Sequence, residues 1–227
     1  MSHLSEVMEQ ASDSTRPIAD AVRQVKILGF RLDSATLSEW AEKELVGYNV
    51  NDDLPQYRKA RHLPVTGTWR GRGSQRVEPL STAGIPQNFL DAHFSASFTH
   101  SISEMESIAA ASEDPVINWD PYVVQQYMRF VESKIGGVSY QYMTLSRASL
   151  LIPRYMVIGA LDAIRSRIID LCLELEKSAP ESGALNGPTR ADSGVRDAEA
   201  KFYFNIYGDN ANIATGDHAS QRSDSAL

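Results

Sequence analysis

Apolar residues recur three and four apart through the first fifth of the chain. Leu4, Val7, Met8 and Ala11 form a short stripe, predicting a helix that ends near Ser12. Asp13, Ser14 and Thr15 then offer caps, and Pro17 suits a first helical turn. Ile18, Ala21, Val22, Val25, Leu28 and Leu32 predict a second helix. Leu37, Trp40, Ala41, Leu45 and Tyr48 predict a third, with Gly47 as its stop. The short Asp33-Ser34 connection makes these two helices neighbours, with Trp40 anchoring them. Asp52 and Asp53 ahead of Leu54-Pro55 read as an extended turn, and pairing of Glu44 or Asp53 with Arg58 would pin that turn against the third helix.

The period changes at VTGTWRGRGSQR. Val65, Gly67 and Trp69 share one face of a strand, and Gly71 with Gly73 marks a turn. Residues 79–94 read as irregular. Ser101 and Glu104 form a capping box that opens a helix with Ile102, Met105, Ile108 and Ala109 on its apolar face. Asp120-Pro121 starts another, carrying Tyr127, Phe130 and Val131. Val138, Tyr140, Tyr142 and Thr144 alternate as a short strand, a candidate partner for Val65–Trp69. The longest pattern opens near Pro153 and closes before Pro180, with Val157, Ala160, Ile164, Ile168, Leu171, Cys172 and Leu175 along one stripe. Beyond it, residues 181–199 read as a flexible linker. Phe202, Phe204 and Ile206 alternate as the first strand of a hairpin spanning 200–221, with Ile213 on the return strand. Residues 222–227 read as a disordered tail. The fold expected is mainly α: a helical domain over 1–180 with a small β element, then the linker and the β-rich motif.

Composition adds limits. A net charge of −7 disfavours a protein that grips duplex backbone, because phosphate contacts require a positive surface. The single cysteine, Cys172, reads as a buried hydrophobe and fits a reducing compartment, so a cytoplasmic location is expected. Nothing in the sequence is apolar for long enough to span a bilayer. His62, His93 and His100 are scattered without metal-ligand spacing, so no metal or other cofactor is expected.

Two sets of anchors bear a resemblance to a known family. The first comprises Val22-Arg23, Leu28, Arg31-Leu32, Leu37, Trp40, Glu44-Leu45, Gly47-Tyr48 and Leu54-Pro55-x-Tyr57-Arg58. It is similar to the opening signature of the AbiTii domain found in bacterial abortive-infection proteins, with Val at position 22 in place of Leu. The second comprises Ile164-Arg165, Arg167, Asp170, Leu173-Glu174-Leu175-Glu176 and Pro180, and it resembles that domain's later helix. The run SISEMESIA resembles its middle, and the whole resemblance covers about residues 3 to 180. The tail GDNANIATG is similar to segments that follow unrelated bacterial defence domains, and reads as an assembly tag.

The resemblance implies abortive-infection phage defence and supplies no catalytic residue. The chain is therefore expected to be a non-enzymatic interaction module or effector, homo-oligomeric through Phe202, Phe204, Ile206 and Ile213, with a defence or phage protein as a further partner. Glu44, Tyr57, Arg58, Trp69, Arg70, Arg72 and Arg165 are the candidate binding residues. One alternative is a metal-dependent nuclease or nucleotide hydrolase drawing on Glu44, Asp53, Arg58, His62, Arg70 and Arg72. Another is a nucleic-acid sensor that stacks bases on Trp69 between arginines. The bland reading for Arg165 and Arg167 is salt bridging along the long helix.

Overall fold

A computed structural model describes residues 2–208. Helices α1 (His3–Ser12), α2 (Ile18–Arg31) and α3 (Ala35–Val46) follow the apolar stripes, and a 3-10 turn covers Gln56–Arg58. Strands β1 (Lys59–Ala60), β2 (Val65–Gly71) and β3 (Ser74–Pro79) lead to α4 (Gln87–His93) and β4 (Ala96–Ser97). Helix α5 (Ile102–Ala110), β5 (Val116–Asn118), α6 (Pro121–Glu132) and β6 (Thr144–Leu151) precede the 25-residue α7 (Arg154–Ser178) and α8 (Ser193–Tyr207). The fold is mainly helical with a small antiparallel sheet ordered β3-β2-β6-β5, and β1 pairs separately with β4.

Two apolar cores lie along α7. Ile164, Ile168, Leu171, Cys172 and Leu175 pack with the stripes of α1, α2 and α3. Val157 and Ala160 pack with the buried side of the sheet (Val65, Trp69, Leu145, Ala148, Leu150) and with α4 and α6. One helix therefore joins both halves. Its amphipathic stripe is long enough to be covered by different neighbours at each end. Burial pushes the Cys172 thiol up to about 12, as suits a small core residue.

Polar side chains brace the helix ends. Ser34 caps α3, and the predicted Ser101–Glu104 box opens α5. Helix α2 has no cap from its own flank; Glu106 of α5 accepts the Ile18 N–H at 2.6 Å instead. Gly47 ends α3 at φ 106°, and a Cβ there would stand 2.9 Å from the Thr99 carbonyl oxygen, so glycine is required twice over.

The fold corrects several expectations. Residues 79–94 are not uniformly irregular, since β3 runs to Pro79 and α4 carries Phe89 into the core. The strand that pairs with β2 is Thr144–Leu151, later than the Val138–Thr144 alternation suggests. Positive φ at Lys134, Gly137 and Tyr142 breaks the chain there, whereas Leu145, Ala148 and Leu150 can all turn inward. Residues 181–199, expected as a linker, are tied to α2 and then enter a helix. Arg31 donates to the Gly183 carbonyl at 2.6 Å, and the Arg190 N–H donates to Leu32 at 2.7 Å. Phe202, Phe204 and Ile206 lie on α8, not on a strand. Val195, Ala198, Phe202 and Ile206 are buried at spacings of three and four, so a helical period outweighs a five-residue alternation. The return strand with Ile213, and the rest of the hairpin, lie outside the described residues.

Phe202 is 3% exposed and meets Trp40 edge-on at 5.0 Å, whereas Phe204 is 51% exposed. Phe202→Ala should cost about 3–5 kcal/mol in urea denaturation, and Phe204→Ala within about 0.5 kcal/mol. Equal costs would contradict the helical packing.

Candidate functional site

The most elaborate side-chain constellation joins the end of α3 to the Gln56–Arg58 turn. Proline at 55 sets the chain extended before the 3-10 turn, which aims Arg58 back under α3. Glu44 and Arg58 are both fully buried. The Arg58 Nε lies 3.2 and 3.1 Å from the two Glu44 carboxylate oxygens, and Nη2 donates to Oε2. The remaining nitrogen, Nη1, donates to the carbonyls of Phe98 at 2.6 Å and His100 at 2.8 Å.

The carboxylate is equally well used. Tyr48 and Tyr57 donate their hydroxyls to Glu44 Oε1 at 2.8 and 2.7 Å, and Trp40 Nε1 donates to the Tyr57 oxygen at 2.9 Å. The Arg58 guanidinium also sits 4.7 Å over the Tyr48 ring. Burial, and then the Glu44 charge, hold both phenols well above their ordinary pKa of 10. Burial alone would lower the pKa of Arg58, but the Glu44 charge and hydrogen bonds outweigh it and raise it. A buried pair bonded this fully is a lock rather than a reactive site: the Glu44 carboxylate accepts from two phenols and two guanidinium nitrogens, and Arg58 uses four of its five N–H groups.

Above this lock is a cleft of about 580 Å³ between α3, the 51–53 turn and α8. Trp40, Tyr203 and Tyr207 give it an aromatic wall, and Glu39, Lys43, Asp52, Asp53, Arg196 and Asp197 give it a charged rim. Lys43 pairs with Asp52 at 2.9 Å and holds its carboxyl below the usual range. A second polar chain closes the cleft's far side. Ser34 donates to Glu199 at 3.0 Å, and Arg190 pairs with the other Glu199 oxygen at 3.1 Å.

Of the candidate binding residues, Glu44, Tyr57 and Arg58 converge, and of the two expected partners for Arg58 it is Glu44, not Asp53, that pairs with it. Trp69 is buried beneath the sheet, edge-on to Tyr140 at 5.1 Å, so its ring cannot stack a base. Arg70 is exposed on the sheet's open side, and Arg72 is exposed in the turn between β2 and β3. Arg165 acts as a clamp rather than a salt bridge, donating to the carbonyls of Ala11, Asp13 and Arg16 at 3.2, 3.0 and 2.6 Å. Arg167 lies 3.7 Å from Asp170, the pairing expected of it. The residues named for a hydrolase are dispersed. Glu44 and Arg58 occupy one another, Asp53 lines the cleft, and Arg70 lines a separate depression on the sheet. Among the described residues no group of His, Cys, Asp and Glu could hold a metal ion. No described helix is long and apolar enough to cross a membrane. Sequence reasoning placed Ser34 only at the connection between α2 and α3, and missed Arg190 and Glu199. The spacing of Val195, Ala198 and Phe202 was the signal that would have placed Glu199 on a helix.

The AbiTii family model matches residues 2–195 of this chain. No curated protein and no solved structure matches it.

Arg58→Ala leaves Glu44 buried and unpaired, and should cost about 3–5 kcal/mol in denaturant unfolding. The raised phenols set an alkaline limit. They are neutral in the fold, so their contribution is present below pH 10, the ordinary value, and is lost as pH rises above it. Stability followed by circular dichroism should fall above pH 10, and fall less steeply in Tyr48→Phe/Tyr57→Phe.

Proposed function

The chain belongs to the AbiTii family, and from that premise we propose that it serves bacterial abortive-infection defence as an oligomerising interaction module. The match over residues 2–195 carries the defence reading, because the buried Glu44–Arg58 lock is built from the family's opening signature. The lock makes the domain a rigid platform. Fixed charges and aromatic rings at its base hold α3, the Pro55 turn and the approach to α5 in one arrangement.

Helix α8 then carries the self-association reading. Its Phe202 and Ile206 are core residues, so they are not available to a neighbouring subunit. Phe204 is half-exposed on the helix from which the chain passes Gly208 into the tail. The tail's Asn-Ile-Ala-Thr-Gly run, with Ile213, supplies the remaining apolar and amide groups of the interface. Copies assembled through it would bring several platforms together, and a defence or phage protein would meet the assembled surface. No reaction is assigned to it.

Truncation after Tyr207 tests this without removing the core contacts of α8. Light scattering should give a smaller mass than the full chain, with the thermal midpoint unchanged, and protection in a plaquing assay should be lost. A monomeric full-length protein would refute the oligomerisation.

A further inference from the structure

Among the described residues, one face of the four-stranded sheet carries no helix. The register puts Thr66, Thr68 and Arg70 of β2 on that face, alternating with buried Val65, Gly67 and Trp69. Gln75 of β3 stands opposite Arg70, and Arg147 of β6 stands opposite Thr68. The register shifts between Thr68 and Trp69, which leaves Ser146 as an extra residue, and both Ser146 and Arg147 are exposed. Thr68, Arg70, Gln75, Ser146 and Arg147 thereby line a shallow depression of about 190 Å³.

The charge of this face is opposite to that of the chain. The four strands hold one acid, Glu78, and its register partner is buried Gly67, so it lies on the other side, 3.6 Å from Arg76. Neither Arg70 nor Arg147 makes an ion pair among the described residues; Arg70 Nε donates only to Gln75, at 3.2 Å. At the hairpin end, Arg72 lies 3.6 Å over the ring of Tyr142, which is exposed. A Cβ at Gly71 would stand 1.9 Å from the Tyr142 carbonyl oxygen, so the hairpin is pressed directly onto that residue.

We propose that this open sheet face binds single-stranded nucleic acid. Arg70 and Arg147 on the face, with Arg72 at its hairpin end, would contact phosphates, the Thr and Gln side chains would bond phosphate and sugar oxygens, and the Arg72–Tyr142 stack would offer a flat end for a base; Ser146 is already committed, donating to the Thr68 carbonyl at 2.9 Å. The chemistry favours a nucleic acid over an acidic protein, because hydroxyl, amide and guanidinium groups line the depression, and the one apolar side chain opposite Thr68 is Val77, with no aromatic anchor among the lining residues. The acidic remainder of the chain opposes wrapping by a duplex, but not a strand lying on one flat face. The trace of this in the sequence, RGRGS, points to Trp69; the fold replaces Trp69 with Arg147, some seventy-five residues away.

Fluorescence anisotropy of the full chain with dye-labelled single-stranded DNA and RNA of about twenty nucleotides tests it. Three phosphate contacts at about −0.7 each predict roughly twentyfold weaker binding when salt rises from about 50 mM to about 200 mM. Arg70→Glu/Arg147→Glu should weaken binding about tenfold or more. Arg129→Glu, an exposed charge on α6, should leave it unchanged. If the reversals disturb the circular dichroism spectrum, Arg70→Gln/Arg147→Gln should show the same direction of loss. No binding at the lower salt, equal binding by both double variants and the unaltered chain, or equal displacement by polyglutamate would each overturn the assignment.

Discussion

Everything in the opening half of this fold depends on Glu44 and Arg58 finding each other in the absence of water. Two charges are costly to bury unless each is well bonded, and these two are. Arg58 spends its donors on one carboxylate and two carbonyls, while Glu44 accepts from a guanidinium and two phenols. The carbonyls belong to Phe98 and His100, on the approach to α5. The pair therefore fixes three chain segments at once, and the cost of burying charge becomes a demand for one arrangement.

The same economy governs the rest of the helical layer. Helix α7 runs through both cores, and its Arg165 holds the carbonyls at the end of α1. Helix α5 returns Glu106 to the bare N-terminus of α2. Helix α8 closes the layer from the other side, with Phe202 against Trp40 and Glu199 between Ser34 and Arg190. The uncapped starts of α2 and α7 receive Glu106 and Asp114, and the end of α1 receives Arg165, so these unpaired backbone groups double as tertiary ties.

Arginine shows how much the context decides. Arg58 and Arg165 are consumed by backbone and carboxylate partners, whereas Arg70 and Arg147 face solvent on a sheet side to which the strands contribute no acid, and Arg72 is exposed in the adjoining turn. In the sequence these residues look alike. What separates them is whether the chain around them turns inward. Trp69 makes the converse point: its arginine neighbours suggest a stacking surface, but the alternation of β2 drives the ring into the core.

The sequence by itself determined α1, α2, α3, α5, α6 and α7, the Ser101 box, the Pro121 start, the Gly47 stop and the family. Those features are local, set by spacing and by backbone chemistry within a few residues. It also named Glu44 or Asp53 as the partner of Arg58, since polar residues flanking a proline turn are easily brought together, and the structure selects Glu44. Only the tertiary structure decided that β6 begins at Thr144, that α8 is a helix, and that Arg147 joins Arg70. Short alternating runs are compatible with either period, and the choice falls to whichever neighbour covers the apolar side: Trp40 for Phe202, and β2 for Leu145 and Ala148.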